Sequence, residues 1–125
     1  MLIITDKEMM EREIKFRCWD RLLKKMFYDI SFIHVKDSMT YSIYENKTGK
    51  YFASQAVIMQ FIGLFDMNGE EIYEGDLIDD DGIVMTVRFV RDQFRKCNEH
   101  DSWGIHPLDQ VEVIGNVYEG IKKKK

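Results

Sequence analysis

The sequence predicts a mainly β fold, and three observations carry that expectation. Ile14 to Trp19 and Ile83 to Arg91 both alternate along the chain with a period of two, which is the strand signature. Gly63 to Ile78 packs two turn signals so closely that no helix fits between them. The remaining segments are rich in β-branched and aromatic residues, which suit a pleated, half-buried surface. Such spacing suits a small barrel or sandwich.

Taken in order, Met1 to Glu11 has little apolar periodicity and is expected to be a flexible leader, with Met10 as an alternative start. Arg12 to Asp20 is the first expected strand. It places Ile14, Phe16 and Cys18 on one face and Lys15, Arg17 and Trp19 on the other. Arg21 to Lys25 reads as a polar hairpin connection before Met26 to Ile33 resumes β-rich chemistry. Residues 39 to 53 read as a second hairpin, turning at Asn46-Lys47-Thr48-Gly49. Ala56 to Ile62 is continuously apolar, and its length and β-branched content favour a strand.

Asn68-Gly69 is a tight-turn signal, because both residues tolerate positive φ. Asp66 can accept a bond from the backbone two residues on, as in an Asx-turn. Glu71 to Tyr73 leaves room only for a very short extended piece. Gly75, followed by Asp76, lets the backbone turn where a Cβ would be penalised. Asp79 to Gly82 is another turn. Residues 92 to 109 read as polar and irregular, with Trp103-Gly104-Ile105 briefly extended. Val111 to Tyr118 is the last expected strand, and Gly115 inside it signals a bulge or a close backbone approach. Lys122 to Lys125 reads as a solvated basic tail.

A chain of 125 residues with 45% apolar content suits one domain or two very small subdomains and is too apolar for a disordered protein. The net charge of −4 argues against a general nucleic-acid binder, though not against a local basic patch. Cys18 and Cys97 are the only cysteines and read as reduced thiols of a cytoplasmic protein, with Cys18 a buried small hydrophobe. No apolar run approaches the roughly 20 residues that span a bilayer.

Three motifs in order resemble those of the YopX family: Arg12-Glu13-Ile14-Lys15-Phe16-Arg17-Cys18-Trp19-Asp20, then Met59 to Asp66 followed by Asn68 to Asp76, then Val113-Ile114-Gly115-Asn116-Val117-Tyr118-Glu119. Ile62 departs from the family pattern, which has Thr there, and the leader is extra. The resemblance implies a small protein of temperate phages and prophages, of unknown molecular function and with no catalytic residues to carry over. It implies an SH3-like barrel preceded by a β-rich N-terminal portion, so the expected division is a leader at 1–11, the N-terminal portion at 12–62, the barrel at 63–119 and a basic tail at 120–125. The expected structural turn residues are Asn68, Gly69, Gly75 and Asp76.

Several constellations remain. Eight acids between Asp66 and Asp81 with no base among them read as solvated turns. They fail as a calcium loop, because Gly69 stands at the fourth position from Asp66 where such a loop needs Gly at the sixth. Cys97, His100 and His106 form only half of a zinc pattern, so no metal or other cofactor is expected. Cys97 lies near Arg95, Lys96 and His100 in sequence, but no nucleophile motif accompanies it, and an enzyme is the least expected class. Two basic groups stand out: Arg12, Lys15, Arg17, Arg21, Lys24 and Lys25, and then Arg88, Arg91, Arg95 and Lys96 with Phe89 and Phe94 between them. The second group is the candidate nucleic-acid patch, on the pattern of basic grooves with aromatic platforms. The competing reading is a charged solvent face that shields sheet edges. The favoured expectation is a non-catalytic module that binds a host or phage protein or a second copy of itself, without a membrane; the alternative, not favoured, is a small barrel that binds nucleic acid through its basic strand faces.

Overall fold

The computed structural model describes residues 13–38, 41–52 and 56–123. The expected leader, Arg12, the start of the second hairpin at 39–40 and the last two lysines lie outside the described residues. All regular structure in the described residues is β, in three antiparallel sheets.

The first sheet has the order β2-β1-β6-β7, from β1 (Phe16–Asp20), β2 (Lys25–Phe27), β6 (Ala56–Phe65) and β7 (Glu71–Tyr73). The second has the order β3-β4-β5, from β3 (Ile30–His34), β4 (Tyr41–Glu45) and β5 (Tyr51–Phe52). The third has the order β11-β10-β9-β8-β12-β13, from β8 (Asp76–Asp80), β9 (Ile83–Val90), β10 (Gln93–Cys97), β11 (Ser102–Gly104), β12 (Val111–Asn116) and β13 (Gly120–Ile121). This six-stranded sheet occupies the part of the chain for which an SH3-like barrel was expected. Its strand order leaves β11 and β13 as edges.

The first sheet is buried on both faces. Cys18, Phe27 and Ile30 form one core with Ile43 and Phe52 of the second sheet. Trp19, Met26 and Met59 form another on the opposite face. The face of β1 that alternation marks as polar is therefore covered too. Arg17 and Trp19 reach the C-terminal part, where Arg17 meets Asp76 and Trp19 stacks on Tyr118 at 5.4 Å between ring centroids. Ile72, Ile78, Met85, Val87 and Val111 make the third core.

The turns show which signals acted. Asp66 Oδ1 accepts the Asn68 N–H at 2.8 Å, the expected Asx geometry. Gly69 donates to the Asp66 carbonyl at 3.0 Å, and Gly69, not Asn68, takes the positive φ of 81°. The loop is thus wider than a two-residue turn centred on Asn68-Gly69, and follows the longer hairpin pattern that ends on a left-handed glycine. In β12 the register against β8 slips between Val113 and Gly115, so the expected bulge is present. A Cβ at Gly115 would overlap the Gly120 carbonyl oxygen, so β13 can approach only a glycine.

Two expectations are corrected. Residues 93–97 are not irregular: they form β10, paired with β9 from Gln93↔Val90 to Cys97↔Thr86. Their hairpin turns on Arg91 and Asp92, at φ 51° and 68°, so neither Gly nor Asn marks it. The acidic stretch is not simply solvated either. Asp66, Asp76 and Asp79 are buried, and each carboxylate accepts a backbone N–H of its own turn.

Candidate functional site

Two surfaces present chemistry that the cores do not use. The first lies on the outer face of β9, β10 and β11. Strand alternation puts Met85 and Val87 inward, so Val84, Thr86, Arg88 and Val90 face outward. The β9–β10 register sets Arg88 directly opposite Arg95, and Thr86 opposite Cys97. These residues line an open groove of about 860 Å3, together with Arg91 from the turn and Glu99, His100 and Asp101 beyond β10. Arg95 is held in place: its Nε donates to Ser102 Oγ and its Nη2 to the Ser102 carbonyl, both at 2.8 Å. Among the described residues, Arg88, Arg91 and Arg95 make no ion pair with a carboxylate.

Of the four basic residues expected to act as one patch, Arg88, Arg91 and Arg95 share this groove, and Lys96 does not. Lys96 points to the other face, where it bonds Asp80 at 2.8 Å and Asp109 at 3.2 Å. Burial works against its charge, but these two acids hold its pKa above the ordinary lysine value. Phe89 and Phe94 also pair on that other face, with ring centroids 5.1 Å apart. The arginines and the aromatic rings are therefore separated by the sheet itself. The other basic group is dispersed as well. Arg17 is buried on Asp76, and Lys15 pairs with Glu71 and Glu13, which raises its pKa, with the Glu71 bond the larger cause.

The second surface is the outer face of the three-stranded sheet. Ser31 pairs with Tyr44, Ile33 with Ser42, and Tyr44 with Tyr51. Ile30, Ile43 and Phe52 point into the core, so Ile33, Tyr44 and Tyr51 share the outer side with the two serines. The Tyr44 and Tyr51 rings lie 5.7 Å apart, and Tyr51 is 62% exposed. Alternation along 41–44 held this signal, but the face it defines depends on β3 pairing alongside.

The histidines, Cys97 and the expected turn residues are placed as follows. His34 lies against Tyr41, with ring centroids at 5.2 Å. The His106 ring Nδ1 accepts the Leu108 N–H at 3.1 Å. Among the described residues no group of three His, Cys, Asp or Glu side chains is placed to hold a metal ion. Cys97 is buried and its Sγ lies 3.7 Å from the Arg95 carbonyl. Gly75 takes φ 89°, donates to the Val87 carbonyl at 2.8 Å and accepts from the Val117 N–H at 2.9 Å. Asp76 Oδ2 accepts the Tyr73 N–H at 2.8 Å. No helix among the described residues is long and apolar enough to cross a membrane.

The fold and these surfaces define an all-β protein of three antiparallel sheets, with an arginine groove on β9, β10 and β11 and a tyrosine face on β3, β4 and β5. The chain belongs to the YopX protein family, whose sequence profile matches residues 15–121. Its fold is similar to that of protein EF1440 from Enterococcus faecalis, at a TM-score of 0.63 and 23% identity, covering 85% of this chain and 94% of that one. It is also similar to YopX from Bacillus subtilis, at a TM-score of 0.56 and 21% identity, covering 83% and 92%. No curated protein sequence matches the chain.

Proposed function

We propose that this YopX-family chain is a non-catalytic protein-interaction module of a temperate phage or prophage, which binds a host or phage protein in the host cytoplasm. The observation that carries the reading is the tyrosine face of the second sheet. Tyr44 and Tyr51 are direct cross-strand neighbours, and Ile33 is the diagonal neighbour of Tyr44. Tyrosine offers large, rigid contact area at low entropic cost, with a hydroxyl for the wet rim of an interface. The flanking Ser31 and Ser42 add small polar contacts. The face supports a partner surface that is apolar at its centre and polar at its edge.

The test compares the wild-type chain with Tyr51→Asp and Ile33→Asp as baits in host lysate, at low and moderate salt. Both changes fall on solvent-facing side chains, so melting temperatures should stay within a few degrees of wild type. The expected result is one partner retained by the wild type and lost by both variants. Sedimentation of the purified chain detects a second copy as that partner. Identical captures by all three baits would overturn the reading.

A further inference from the structure

We propose that Arg88, Arg91 and Arg95 form a binding site for one terminal phosphoryl group, as borne by inorganic phosphate, a small phosphate monoester or a phosphorylated side chain. The inference stands on the geometry of the β9–β10 hairpin and is independent of the tyrosine face.

The first argument is the facing pair. Arg88 and Arg95 occupy directly opposed positions of an antiparallel ladder, with Cβ atoms at roughly 5 Å. Like charges so placed are destabilising by themselves. Among the described residues neither has a carboxylate within ion-pair distance. An anion between them removes the repulsion.

The second argument is Arg91. It sits at φ 51° in a two-residue hairpin turn, in a conformation that Asn or Gly adopts far more readily. The turn places this third guanidinium on the same groove as the other two. Strain of this kind gathers where a side chain serves a ligand. The third argument is preorganisation. Ser102 holds Arg95 by two hydrogen bonds, which leaves the rest of its donors free for a ligand.

The ligand class follows from charge and shape. A carboxylate offers two oxygens and one charge, which a single guanidinium fork satisfies. Three arginines lining one groove supply more donors and positive charge than a carboxylate can use, and suit the three oxygens and the near-double charge of a terminal phosphoryl group. A continuous nucleic-acid strand fits less well. Phe89 and Phe94 lie on the opposite face, Lys96 is bound to Asp80 and Asp109, and Glu99 and Asp101 close the far end of the groove with negative charge.

The experiment titrates the full chain with sodium phosphate at constant ionic strength held by chloride, following arginine side-chain N–H signals by NMR. Saturable shifts at Arg88, Arg91 and Arg95 are expected. Arg88→Gln should weaken phosphate binding about tenfold or more, while Tyr51→Asp should leave it unchanged. Arg91→Gly separates binding from folding, because it relieves the strained turn: the melting temperature should rise while phosphate affinity falls. A phosphoserine peptide should bind more tightly than its serine counterpart. The proposal is overturned if phosphate acts no differently from chloride, or if the folded Arg88→Gln chain binds phosphate as the wild type does. Tighter binding of an oligonucleotide than of the phosphopeptide would overturn it in favour of nucleic acid.

Discussion

Arg17 and Asp76 stand 59 residues apart in sequence and form a buried ion pair, Nη2 to Oδ1 at 2.8 Å, with side chains 3% and 2% exposed. Arg17 also donates to the Glu74 carbonyl at 3.2 Å, and its guanidinium lies 4.7 Å from the centroid of the Tyr73 ring. Asp76 accepts the Tyr73 N–H through its other oxygen. Burial still pushes the Asp76 carboxyl above its ordinary pKa, against the pull of Arg17. Arg17 Nε finds no acceptor among the described residues. The pair thus specifies how β1 docks on the start of β8 more than it adds net stability.

That balance makes a signed prediction. Asp76→Ala leaves Arg17 buried without its partner and should destabilise by about 3–5 kcal/mol. Arg17→Met combined with Asp76→Leu should cost less than either single change, because no charge is then stranded. Urea unfolding of Asp76→Ala, of the two single changes and of the double variant measures this. A double variant that loses as much stability as either single change, or more, would show that the pair is a net stabiliser.

Gly75 couples three strands at the same joint. Its φ of 89° disfavours any Cβ, and a Cβ there would stand 2.9 Å from Met59 Sδ. Gly75→Val should therefore lower the melting temperature sharply or prevent folding. An unchanged melting temperature would remove the structural role assigned to this turn.

Asp66 organises its own hairpin and reaches beyond it. Its carboxylate accepts the N–H groups of Asn68, Glu70 and Val113, at 2.8, 2.9 and 2.9 Å. Asp66→Ala removes the shared acceptor of all three donors, and should cost about 1–3 kcal/mol. Hydrogen exchange of the Val113 amide should rise first. Protection equal to wild type at that amide would contradict the role.

Alkaline pH should weaken the fold through two buried groups. Burial pushes the Cys18 thiol up to about 11 and the Tyr73 hydroxyl up to about 12, from 9.0 and 10.0. Both folded values exceed the unfolded ones, so the stability is complete below pH 9 and falls as pH rises from 9 to 12. Each group accounts for about 2–3 kcal/mol of that loss. Tyr73→Phe should remove the tyrosine's share, which falls between pH 10 and 12, and leave the Cys18 share between pH 9 and 11, read by urea unfolding at stepped pH.

Much of the strand content was legible because local signals agreed. Glu71–Tyr73 emerges as the short β7, and the break at Gly115 as the bulge of β12. β10 was illegible for a specific reason: Arg91 and Asp92 take positive φ without any residue that advertises it. Missing β10 also hid the groove. Alternation alone puts Arg88 and Phe89 on opposite faces, but only the register shows that Arg95 joins the first and Phe94 the second.

By itself the sequence determined the β class, the main turns and the family, because period, turn chemistry and motif order are local properties of the chain. Tertiary structure alone decided which charges are buried and which are available. Arg17, Lys96 and Asp66 look like surface residues until a distant partner removes them from water. Arg88 and Arg95 look like two cations among many until strand pairing sets them face to face. Desolvation and cross-strand contact depend on what lies opposite, and the chain specifies that only once it has folded.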